Sequence, residues 1–142
     1  MAGTSFHTNV SLRGYHFEDF HFTGVLAAGI TVADIGKAVM VDTSAANKFK
    51  LVTAGETIVG RLEVVEDRTV EGQLIGTISF KFMNTLPISG TVAVGDTVVG
   101  GDTAGHVDRL EDTGVAAPNH SINFVAEIIE AGTTDYAVVV KI

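Results

Sequence analysis

The side chains that could do chemistry are few and scattered. His16 and His21 flank Glu18 and Asp19, a set that could hold a hard or borderline metal ion. On an extended strand His21 and Asp19 share one face while His16 and Glu18 share the other, and no second cluster completes the ligand set. Ser121 with His120 and Asp108, or Ser89 with His106, could be assembled into a hydrolytic triad or pair. Neither lies on a nucleophile elbow of the G-x-S-x-G kind, and five histidines among many aspartates produce such sets by chance. The paired carboxylates Glu63/Glu66 and Glu127/Glu130 are spaced by three, which on a strand sends them to opposite faces and separates any acid from any base. The glycine run Gly100-Gly101-Asp102-Thr103-Ala104-Gly105 lacks the Lys-Ser/Thr pair and the following helix of a phosphate loop. No catalytic residue, metal site or cofactor is expected.

The scaffold is more informative than these side chains. The 142 residues suit one domain, 46% hydrophobic and only 18% charged, with Gly, Val and Thr prominent, a mixture that favours strands and turns. A net charge of −8 with no basic run argues against a nucleic-acid partner. There is no cysteine for a disulfide, thiolate metal site or thiol nucleophile. No apolar run approaches a membrane span and Met1–Val10 does not read as a signal peptide, so the expected place of synthesis is the cytoplasm.

Strands are expected at 38–42, 48–52, 57–66, 72–82, 97–99, 106–110, 122–130 and 135–142, with no amphipathic helix between them. Gly24–Ala33 reads as a connection, and Asp67-Arg68 as the turn of a long antiparallel hairpin. Leu74, Gly76, Ile78, Phe80 and Phe82 alternate with Thr77, Ser79 and Lys81, so the aromatic end of that strand should enter the core; Pro87 ends the run. The fold class is all-β: a compact antiparallel β-barrel or sandwich with an N-terminal extended arm.

The chain also repeats. Gly36 and Leu51 recur as Gly95 and Leu110, fifteen residues apart in both cases, Glu63–Glu66 recurs as Glu127–Glu130, and Lys81 as Lys141. Two similar β halves, about 34–84 and 93–142, therefore lie within a single β domain of residues 25–142. Residues 1–24 stand apart, because Phe6, Tyr15, Phe17, Phe20 and Phe22 concentrate there with three of the histidines. That segment either folds back as an edge strand or docks as an arm on a neighbouring subunit. The irregular insertion around Pro118 is the other feature that is not repeated.

Gly36-Lys37-Ala38-Val39, Asp42-Thr43-Ser44-Ala45-Ala46-Asn47, Lys50-Leu51, Val59-Gly60-Arg61-Leu62-Glu63 and Val94-Gly95-Asp96-Thr97-Val98-Val99-Gly100 together resemble the capsid decoration, or cement, proteins of tailed bacteriophages. The resemblance covers about residues 34–110. It implies a small β protein, commonly a homotrimer, that binds the major capsid protein on the outer surface of the expanded head, with no catalytic residues to carry over. On that reading the chain resides in the virion. Phe6, Tyr15, Phe17, Phe20, Phe22 and Pro118 become the candidate capsid or subunit contacts. The alternatives are a β-barrel module binding a carbohydrate or other small ligand at the His/aromatic segment, and a hydrolase built on one of the Ser/His/Asp sets.

Overall fold

The computed structural model describes residues 20–110 and 122–142. Within them the protein is nearly all β, a sandwich-like fold with a seven-stranded mixed sheet and a second, two-stranded sheet. The strands are β1 (Phe20–Leu26), β2 (Ala38–Val41), β3 (Lys48–Leu51), β4 (Gly60–Arg68), β5 (Gln73–Pro87), β6 (Val98–Gly100), β7 (Val107–Arg109), β8 (Asn123–Ile129) and β9 (Tyr136–Lys141). Each of the eight expected strands is present, with shifted ends.

β1 takes Phe20–Gly24, the end of the segment expected to be an edge strand or an arm, into the sheet with a partner on each side rather than at an edge, and it crosses the position where a connection was expected to start at Gly24. It pairs antiparallel with β5 and parallel with β3, which makes the sheet mixed rather than wholly antiparallel. Gly24 is needed for this: a Cβ there would meet the Phe49 ring at 2.6 Å, so the glycine lets Phe49 pack beneath the strand. With β1 bonded to both β3 and β5, the order β1-β3-β2-β4-β5 closes on itself.

The long hairpin forms, but its turn lies later than expected. Asp67 and Arg68 are still paired, with Leu74 and Gln73, and the chain reverses through Thr69–Glu71 and Gly72. Gly72 has φ +82, a left-handed conformation that a β-branched residue would resist. β5 then runs on past Phe82 and ends at Pro87, where a missing N–H leaves no gap in the ladder. Its first part pairs with β4 and β1, and its last part, Phe82–Pro87, pairs with β9.

The repeat is expressed in matching backbone bonds. Gly36 N–H donates to Leu62 O at 2.7 Å and Gly95 N–H to Val125 O at 2.8 Å; Leu62 and Val125 each donate back, to Lys37 O and Asp96 O, both at 2.9 Å. The halves share a matching β-bulge, between Leu62 and Val64 and between Val125 and Glu127, and the β1–β5 pairing has a further one at Phe20/His21, where Phe80 is the extra residue. These bonds and the strand register shift three of the sequence correspondences by one residue; one is Lys81, because Ser79 opposite Arg61 matches Val140 opposite Phe124, which leaves Phe80 as the counterpart of Lys141. Leu51, paired with Val39, matches Arg109, paired with Val98, so it is not the counterpart of Leu110. Glu63 stands at the first bulge and Ala126, not Glu127, at the second. At these positions residue type and strand register give different equivalents.

The repeat also accounts for β1. Leu26 lies parallel to Phe49 in the first half, and Ile88 lies parallel to Val107 in the second. Ala27 N–H donates to Phe49 O at 2.8 Å, and Ser89 N–H to Val107 O at 3.0 Å. The end of β5 and the residues after it thus serve the second half as β1 serves the first. Val39, Phe49, Leu62 and Ile78 fill one core, while their counterparts Val98, Val107, Val125 and Val139 fill the other. Ala38 packs into the second core beside Val98, whereas its neighbour Val39 faces the first. β2 is therefore a wall between the two cores, as alternation along a strand permits.

Candidate functional site

The aromatic residues of β1 are partnered on one side and open on the other. Phe22 stands opposite Ile78, and its ring lies 5.9 Å from Phe49 and 5.7 Å from Phe80. Phe20, opposite Lys81, packs at 6.4 Å from Phe80, which is 6.0 Å from Phe49. These tilted and edge-on rings form one cluster at the margin of the first core. Phe49 is buried and Phe80 half-buried, but Phe22 is 36% exposed and Phe20 64%. The expected burial of the aromatic end of β5 is met at Phe82, which is 1% exposed, and only in part at Phe80.

Of the candidate contact residues, the structure brings Phe20 and Phe22 together; Phe6, Tyr15, Phe17 and Pro118 lie outside the described residues. Sequence reasoning did not include Phe49 and Phe80 among the contacts, because alternation marked Phe80 as core and nothing local marked Phe49. A second apolar row lies on β8 and β9, where Phe124 faces Val140 and Ile142 N–H donates to Ile122 O at 3.1 Å. Ile122, Phe124 and Ile142 are exposed there, and β8 is the last strand of its sheet.

The chemical sets fare differently. His106 Nδ1 lies 3.4 Å from the carbonyl of Ile88, while Ser89 Oγ is buried without a hydrogen-bond partner, so the two do not form a nucleophile–base pair. Ser121 and His120 of the other set, and His16, Glu18 and Asp19 of the metal set, are outside the described residues. Among the described residues no group of three His, Asp or Glu side chains could hold a metal ion. Glu63 is taken up by Arg61 at 2.6 Å and Glu66 by Arg68 at 2.8 Å.

No family model matches this chain, and no curated protein matches it. What the residues can do must therefore be read from their own geometry.

One polar cleft lies at the seam between the halves. Its lining includes Lys37, Arg61, Thr85, His106, Thr134 and Tyr136, around a cavity of about 280 Å³. Arg61 is held rigidly there: Nε donates to Thr85 O at 2.7 Å and Nη1 to Glu63 Oε2 at 2.6 Å. Lys37 Nζ donates to Asp34 Oδ1 at 2.7 Å. Burial raises the Asp34 pKa, but the bonds from Lys37 and from Thr31 N–H, with the lysine charge, outweigh it and leave the carboxyl below its ordinary 3.8. Nothing in the sequence order signals this grouping, since its members come from five separate segments.

Proposed function

We propose that this protein is a capsid decoration protein of a tailed bacteriophage, binding the major capsid protein on the outside of the expanded head as a homotrimer. The observation that carries the reading is the exposed aromatic margin of β1, Phe20 and Phe22 packed on Phe80, on a body otherwise built of close-packed sheets. An aromatic edge backed by a rigid core loses little conformational freedom on binding, which suits repeated contacts over a shell. The paired cores support it further, because a protein that braces a lattice needs elements that do not yield. The residues carrying the family resemblance, such as Gly36 and Gly95, are turn and sheet residues, in keeping with a structural role.

The test is co-sedimentation with heads assembled from the cognate major capsid protein. The native chain should bind expanded heads and not immature ones, and Phe20→Ser/Phe22→Ser should lose at least tenfold in affinity while remaining folded. Equal binding by the double variant would remove β1 from the interface; no binding of the native chain to either head would overturn the reading. Mass in solution should give three chains, and a stable monomer at micromolar concentration would remove the trimer.

A further inference from the structure

We propose that the cleft between the two halves binds a small oxyanion, a carboxylate or a phosphate, through Lys37, Arg61, His106 and Tyr136. This is independent of the capsid reading. Three nitrogen-bearing side chains and a phenol converge on one cavity of about 280 Å³, and Thr85 and Thr134 add hydroxyl groups to its wall. The cavity has room for phosphate or a short dicarboxylate.

The guanidinium is placed in advance of any ligand. Thr85 O and Glu63 hold two of its nitrogens, and Nη2 remains without a hydrogen-bond partner among the described residues. Gly36, also in the lining, has φ +94, and a Cβ on it would stand 3.2 Å from Nη2. The glycine therefore keeps the wall open at the atom that has a donor to offer. Asp34 occupies one N–H of Lys37 and orients the ammonium, which has further N–H groups for a ligand. His106 Nδ1 lies 3.4 Å from Ile88 O, which ties the ring to the wall of the cleft at one nitrogen. The other ionisable groups facing the site are Lys37, Arg61 and Tyr136, with Asp34 and Glu63 behind the two cations.

Comparison of the halves separates this chemistry from the scaffold. The backbone bonds that match Lys37 to Asp96 and the strand register that matches Arg61 to Phe124 put an acid and an exposed ring where the first half has its two cations. The turns and core positions recur, whereas the cationic pair does not.

Calorimetric titration and thermal shift with inorganic phosphate, and separately with succinate, at constant ionic strength test the site. Saturable binding of either anion is expected, weakened at least fivefold in Lys37→Met and in His106→Gln, and unchanged in Lys50→Gln. Tyr136→Phe removes a donor without disturbing an ion pair, and should weaken binding while leaving urea unfolding as in the native chain. Phosphate alone binding would assign the site to phosphates, and succinate binding as well would assign it to oxyanions in general. A response no larger than that to chloride, or native affinity in both Lys37→Met and Tyr136→Phe, would overturn the proposal.

Discussion

Arg61 Nε donates to the carbonyl oxygen of Thr85 at 2.7 Å, although Arg61 pairs with Ser79 and Thr85 lies in the part of β5 that pairs with β9. One side chain thus ties β4 of the first half to the strand that begins the second. Arg61→Met keeps most of the aliphatic stem but leaves Thr85 O and Glu63 without their donors. A loss of about 1.5–3 kcal/mol is expected, the range for a hydrogen bond to a charged group, read from the urea midpoint at unchanged slope. A change under about 0.5 kcal/mol would show that the seam does not depend on this bond.

Gly100 marks a second crossing between the halves. Gly55 N–H donates to Gly100 O at 2.8 Å and Gly100 N–H to Glu56 O at 2.9 Å, and a Cβ on Gly100 would lie 2.0 Å from Thr53 O. Backbone cannot move aside as a flexible side chain can, so Gly100→Ala should cost more than about 2 kcal/mol. Gly90→Ala makes a useful contrast, because the three atoms nearest its Cβ, at 2.1–2.2 Å, belong to the Asp108 carboxyl, a side chain that can rotate away at the loss of the bond it accepts from Arg109 N–H at 2.7 Å. Thermal unfolding of the two variants should rank Gly100→Ala as the more damaged.

Lys141 gives a pH signature. Its Nζ donates to Phe80 O at 2.7 Å from a half-buried position, and desolvation lowers its pKa below the ordinary 10.5. The unfolded chain then holds this proton more tightly than the folded one. Stability should consequently rise with pH from the folded-state pKa of Lys141 up to the ordinary lysine value. Urea midpoints measured across the alkaline range should show that rise in the native chain and not in Lys141→Met. A flat native profile would mean that Lys141 is solvated after all.

How far the sequence carries such arguments depends on the kind of signal. Alternation from Leu74 to Phe82 identified β5 because period two is a local property, and Gly36 and Gly95 identified the repeated turn because both need positive φ. The parallel pairing of β1 with β3 has no local signature, and Gly24 read as punctuation when its reason is the Phe49 ring beneath it. The one-residue slip at Leu51 arises because residue type was used as a proxy for register, which hairpin length also sets. The seam cleft was illegible for a further reason. Lys37, Arg61, His106 and Tyr136 meet only after both halves are folded against each other, and no spacing in the chain encodes that meeting.

Phe20 and Phe82 provide the last contrast, two phenylalanines near the same level of β5 with opposite surroundings. Phe82 is 1% exposed in the core shared with Leu86, Val98 and Val139, whereas Phe20 is 64% exposed and touches that sheet through Phe80. Phe82→Ala should cost about 3–5 kcal/mol, the transfer of a ring to water together with the cavity left behind. Phe20→Ala should cost less than about 1 kcal/mol, since most of its ring is already solvated. Both values come from urea unfolding, with head binding measured on the same samples. If Phe20 serves a partner, its variant loses binding at nearly native stability; a Phe20→Ala variant as unstable as Phe82→Ala would instead make the β1 margin part of the fold.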